Sequence, residues 1–116
     1  MSTENAAKAD ETFSTLLRML GDWGHVAEAI CQKNVDDFLS NLIKKGWRRR
    51  DIYNLLQKTT IPSDFGLTSE AIDYVCDIES AVTGFIHPDC IMRFPDEEFK
   101  DNEEMIAYVR SKAWMK

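Results

Sequence analysis

Residues 35–60 read VDDFLSNLIKKGWRRRDIYNLLQKTT, and this stretch decides the fold. Val35, Phe38, Leu39, Leu42 and Ile43 recur at the three- and four-residue spacing of one helical face. Lys44 and Lys45 fall in the last turn, where cations suit the helix dipole. Gly46 follows at the position where a positive φ costs a glycine little. A second helix starts near Arg48 and runs to about residue 58, burying Ile52, Leu55 and Leu56 with Tyr53 at its margin. The stretch is thus a pair of helices joined at Gly46, with Trp47 just past the turn and expected to be exposed. Its later part, residues 44–58, gathers Lys44, Lys45, Arg48, Arg49, Arg50 and Lys58 against the single acid Asp51.

The flanking sequence continues in helices. Asn34 is placed to cap the first helix of the pair. An earlier helix is expected over residues 22–33, with Asp22 as its N-cap, His25 in its first turn, and Trp23, Val26, Ala27 and Ile30 facing inward. Phe13, Leu16, Leu17 and Leu20 define another over residues 5–20, stopped by Gly21, with residues 1–8 frayed. After the pair, Pro62 ends helical geometry, and Ser63, Asp64 and Gly66 read as a loop. Thr68 caps a helix over residues 69–83 with Ala71, Ile72, Val75, Ile78, Ala81 and Val82 inward, Cys76 beside them, and Gly84 as its stop. Residues 85–95, FIHPDCIMRFP, carry two prolines and admit either a short helical turn at 88–92 or a short extended piece. A last helix starts at Asp101 or Asn102 and runs to about residue 114, with Met105, Ile106, Val109 and Ala113 inward and Tyr108 and Trp114 at its edges. The fold class is all-α: one compact domain over residues 1–116, built of five to six short helices.

The chain has 116 residues, a formal charge of −6 and 44% apolar residues, which suits one globular core rather than a disordered chain. No apolar run approaches the ~20 residues of a membrane helix, and the opening MSTENAAKADE lacks the basic and apolar regions of a signal peptide. A soluble, cytoplasmic protein is the expectation. Cys31, Cys76 and Cys90 are an odd number at wide spacing, so they read as reduced thiols, Cys31 and Cys76 in the core. Charge is segregated along the chain: −4 over residues 1–43, +5 over 44–58, −10 over 59–104 and +3 over 105–116.

The helix pair looks like a helix-turn-helix, with Leu42, Gly46, Ile52 and Leu55 at packing and turn positions. In that reading Lys44, Lys45, Trp47, Arg48, Arg49 and Arg50 contact DNA. Leu42 stands where such motifs place a small residue, and the acidic remainder repels phosphate. His87 and Cys90 form an H-x-x-C pair that Cys76 or His25 would have to complete, short of the two close pairs of a structural zinc site. No base or oxyanion group accompanies a nucleophile, and the glycines form no phosphate loop, so neither enzyme nor cofactor is expected.

Asp96, Glu97, Glu98, Asp101, Glu103 and Glu104 form the densest acidic run. It serves either as solvated charge at a helix N-terminus or as a docking surface for a basic protein, its carboxylates standing in for phosphates. Trp114 or Phe99 would then anchor the contact. In size, acidity and absence of a catalytic set, the chain resembles small acidic bacterial toxin-immunity proteins, such as those of contact-dependent inhibition systems. The likeness is one of general character across the chain. It implies tight binding to a cognate basic toxin or nuclease domain, blocking that domain's active site or its access to substrate. An acidic secretion chaperone shares these features, and a homodimer is a further admissible partner.

Overall fold

Five α-helices follow the apolar stripes: α1 (Thr3–Leu20), α2 (Glu28–Lys44), α3 (Arg49–Thr60), α4 (Ser69–Thr83) and α5 (Asn102–Ser111). Two 3₁₀ turns, Pro88–Cys90 and Ala113–Met115, bracket α5. The computed structural model describes residues 3–60 and 66–115, with side chains described over residues 11–59 and 66–115. Met1, Ser2, Pro62, Ser63 and Asp64 lie outside the described residues, so the expected loop is seen only from Gly66 onward. The helices form one compact globule with no strand among the described residues.

α3 packs most extensively on α4, and α1 lies against both α2 and α3. Leu16 and Leu20 of α1, Val35 and Leu39 of α2, Ile52 and Leu56 of α3, and Val75 and Val82 of α4 meet in one core. A satellite cluster of Ile91, Met105 and Val109 holds α5 to the molecule. Packing rather than capping sets these positions. The Thr68 side chain accepts from the Ala71 N–H and caps α4, which contributes about 1 kcal/mol. One fully buried leucine such as Leu56 contributes about 1.5–3 kcal/mol.

The joint at Gly46 forms as the sequence dictates. Gly46 has φ 104°, its N–H donates to Ile43 O, and the Trp47 N–H donates to Leu42 O, closing α2 with paired 5→2 and 6→1 bonds. The Asp51 carboxylate then reaches back to the Arg48 N–H at 3.0 Å and opens α3.

Three expectations are corrected. The helices expected over 22–33 and from Asn34 are not two: residues 21–27 turn, and α2 runs unbroken from Glu28. The Asp22 carbonyl accepts from the His25 and Val26 N–H groups, and Gly24 takes φ 89°. Nothing breaks the chain at Asn34, because Cys31, Val35, Leu39 and Leu42 form one continuous buried stripe. Consequently Val26 and Ile30, expected inward, stand 41% and 53% exposed. Cys76 is exposed rather than packed in the core, while Cys31 is buried. The last helix ends at Ser111, short of Trp114, because Lys112 takes φ 60° and turns the chain. That turn drives Trp114 into the core, where its indole N–H donates to Val109 O at 2.8 Å and its ring meets Tyr53 edge-on.

Candidate partner-docking surface

The acidic and basic stretches are not two separate faces. Arg49 lies in the first turn of α3, and the helical repeat places it on the same stripe as Ile52 and Leu56. Its side chain is 1% exposed and Glu97 is 7% exposed. The guanidinium donates from Nε and Nη2 to the Glu97 carboxylate, the closest contact being 2.9 Å. Nη1 donates to Val82 O at 2.7 Å, and Nη2 also donates to Met92 O. Phe94 covers the group, with its ring centroid 4.6 Å away. Val82 O lies in the last turn of α4, where carbonyls have no helical partner and favour a cation.

Arg49 therefore leaves the expected DNA-contacting set, and Glu97 leaves the expected acidic docking set. Both are buried because a charged pair with this many hydrogen bonds is the form in which a core tolerates ions. The pair fastens the irregular 91–97 segment to α3 and to the end of α4. The Met92 N–H, donating to Ala81 O at 2.9 Å, fastens it a second time.

The remaining candidates stay outside. Lys44, Lys45, Arg48 and Arg50 are exposed, and Trp47 is half-buried against the core rather than exposed. Arg48 approaches Asp96 at 4.0 Å, so the basic group and the acidic run touch. Between them lies a polar recess of about 240 Å³, lined by Arg48, Arg50, Asp96 and Tyr108 above the buried pair. Asp101 caps α5 by accepting from the Glu104 N–H, and Glu104 accepts in turn from the Lys100 N–H. These two acids thus have local structural work. Asp96, Glu98 and Glu103 are exposed as well, and Glu98 and Glu103 make no ion pair among the described residues. Neither aromatic expected as an anchor projects: Trp114 is buried, and Phe99 is half-buried against Tyr108.

The other chemical candidates resolve into local structure. His87 Nδ1 accepts from the Asp89 N–H and caps the Pro88–Cys90 turn. Among the described residues, no group of three or more His, Cys, Asp or Glu could hold a metal ion. Burial pushes the Cys31 thiol up and partial desolvation does the same to the surface thiol of Cys76, and carboxylates add to it: Asp22 and Glu28 for Cys31, and Glu79, Asp73 and Asp77 for Cys76. Both effects disfavour the thiolate that a nucleophile requires. Among the described residues, no helix is long and apolar enough to cross a membrane.

Tyr74 on α4 donates its hydroxyl proton to Asp36 on α2. Desolvation, then the Asp36 hydrogen bond and the charges of Asp36 and Asp77, push its pKa well above the ordinary 10.0. A raised acid is ionised in the unfolded chain before the folded one, so unfolding releases a proton at high pH. This contribution is complete below about pH 10 and is lost as pH rises above it. Tyr74→Phe should therefore flatten the fall of melting temperature between about pH 10 and pH 12. An unaltered slope in thermal melts would show that Tyr74 does not carry the effect.

No protein-family model, curated protein or solved structure matches the chain. The functional reading accordingly rests on the charge layout and its geometry.

Proposed function

We propose that the protein binds and neutralises or escorts another protein, docking a cationic surface of that partner on the acids around α5. The toxin-immunity resemblance gives this its sharpest form: an inhibitor seated on a basic toxin or nuclease domain of bacterial origin. One observation carries the reading. Glu98 and Glu103 are exposed with no ion partner among the described residues, and Glu98 follows directly on a segment that the Arg49–Glu97 pair holds to the core. A surface fixed before binding loses little conformational freedom on docking, and its unneutralised carboxylates accelerate encounter with a cationic partner.

The DNA reading has less support. Its central arginine is inside, and of the cations left on the surface Arg48 stands 4.0 Å from Asp96. Phosphate contacts supply most nonspecific affinity, so fewer free cations beside carboxylates weaken it directly.

The test couples capture to charge reversal. Tagged protein should retain a stoichiometric partner from lysate of its native host. Glu98→Lys with Glu103→Lys should slow association with that purified partner by about tenfold or more at low salt, the difference shrinking as salt rises. Unchanged association kinetics would remove the acidic surface from the interface. Sequence-selective DNA binding lost on Arg48→Ala with Arg50→Ala would replace the reading altogether.

A further inference from the structure

A cleft of about 360 Å³ opens between α2 and residues 92–93. Leu39, Ile43 and Met92 form its apolar lining, and Lys44 and Arg93 stand exposed at its mouth. Its volume is at the lower end of the ~300–1,000 Å³ typical of ligand pockets. The wall formed by Met92 is held from both sides of its peptide units: its N–H donates to Ala81 O, and its carbonyl accepts from Arg49. The cleft is therefore formed before any ligand arrives.

Its position and charge limit what would fill it. Arg93 Nη2 donates to Asn102 Oδ1 at 3.3 Å, so the cleft adjoins the first residue of α5, between Asp101 and Glu103. Lys44 makes no ion pair among the described residues. The acid in the lining, Asp36, already accepts from the Tyr74 hydroxyl. The mouth thus offers two cations against the one lining acid, Asp36, to an incoming group, whereas the neighbouring rim offers carboxylates. An apolar depression beside a charged rim is the arrangement in which interfaces place an anchoring side chain.

We propose that this cleft is the anchor pocket of the docking surface: it takes an apolar side chain from a partner segment that carries a carboxylate beside it. The carboxylate meets Lys44 and Arg93 while the partner's cationic surface meets Glu98 and Glu103. The inference rests on the protein-binding reading above, and it adds a register: an acidic-apolar segment within a basic partner.

Short capped peptides probe it without the partner. The probes are Gly-Asp-Leu-Asp-Gly, its Gly-Lys-Leu-Lys-Gly counterpart, Gly-Asp-Gly-Asp-Gly and free decanoate, each titrated into the full chain while backbone amide shifts are followed. The acidic leucine peptide should give saturable shifts at Leu39, Ile43, Lys44, Met92 and Arg93. It should bind about fivefold or more tighter than the lysine peptide, as two exposed ion pairs allow. The leucine-free peptide should give none. Lys44→Glu with Arg93→Glu should reverse the order, and Ser40→Phe, a change at an exposed α2 position beside the cleft, should abolish the shifts. No saturable shift, an order unaltered by the charge reversal, or tighter binding of decanoate than of the leucine peptide would each overturn the proposal, the last in favour of a small amphiphile. Failure of the pocket is therefore read in the peptide titration, and failure of the acidic surface in the partner kinetics.

Discussion

Arg49→Met should lower the free energy of unfolding by about 3–5 kcal/mol, the usual cost of removing one partner of a buried ion pair. Three groups lose their donor together: the Glu97 carboxylate, Val82 O and Met92 O. Methionine keeps the unbranched stem but ends about where Nε stands, so the loss combines the polar contacts with the space the guanidinium leaves beside Phe94. Domains of this size have only about 5–15 kcal/mol in all, so the variant forfeits roughly a fifth or more of its stability. Glu97→Met alone should also destabilise, because it leaves a guanidinium at 1% exposure with carbonyls but no counter-charge. The double variant should then cost less than the two singles together by about 0.5–3 kcal/mol, the coupling expected of residues in one network. Urea unfolding of the four proteins measures this directly from midpoints at constant m. A cost under about 1 kcal/mol for Arg49→Met would place the pair among solvent-screened surface bridges and undo its role as a latch.

The position of Arg49 shows what could and could not be read from the sequence. The stripe of Ile52, Leu55, Leu56 and Thr59 extends back by three residues to position 49, so the helical repeat already pointed this side chain inward. Charge outweighed period in the reading, since arginine between two other arginines suggests a surface island. The period is the better guide, because a helix cannot turn one residue out of its stripe. Glu97 was less legible. Its burial depends on a turn around Pro95, with the Glu97 N–H donating to Phe94 O, in a segment without periodicity. The same contrast explains the helices. The ends of α4 at Thr68 and Gly84 were legible from a cap and a stop, both local chemistry. The merger of residues 28–44 into α2 was not, because Asn34 is a good cap residue that tertiary packing overrides through Cys31 and Val35. Nothing in the pattern signals that Lys112 adopts a left-handed φ and swings Trp114 inward from the helix edge. The acidic surface was legible as composition, but not which of its members were already committed to capping or to the core.

Gly84→Ala should cost about 2–5 kcal/mol, most of it from a contact far away in sequence. Gly84 ends α4 at φ 83°, a conformation that costs a residue with a Cβ about 1–2 kcal/mol. An alanine Cβ there would sit 2.9 Å from Val109 Cγ1, 3.3 Å from Val109 Cβ and 3.2 Å from Arg110 Cγ. Val109 is fully buried in the satellite cluster, so it cannot yield without moving α5, and such overpacking costs about 1–3 kcal/mol. Gly46 separates the two contributions. It has φ 104° but nothing within 4 Å of an added Cβ, so Gly46→Ala bears only the backbone cost. The difference in unfolding free energy between the two variants therefore isolates the α4–α5 contact and should be about 1–3 kcal/mol. It should also be local. Gly84 O accepts from Arg110 Nε at 2.8 Å, so displacing α5 breaks this bond as well. Amide exchange in Gly84→Ala should accelerate mainly over α5, the helix that carries Glu103 and Glu104. If the partner docks on α5, this variant should also bind it more weakly than Gly46→Ala does, with no surface charge altered. Equal stability loss in the two glycine variants would mean that α5 adjusts freely, and the acids it bears would then be no pre-formed surface.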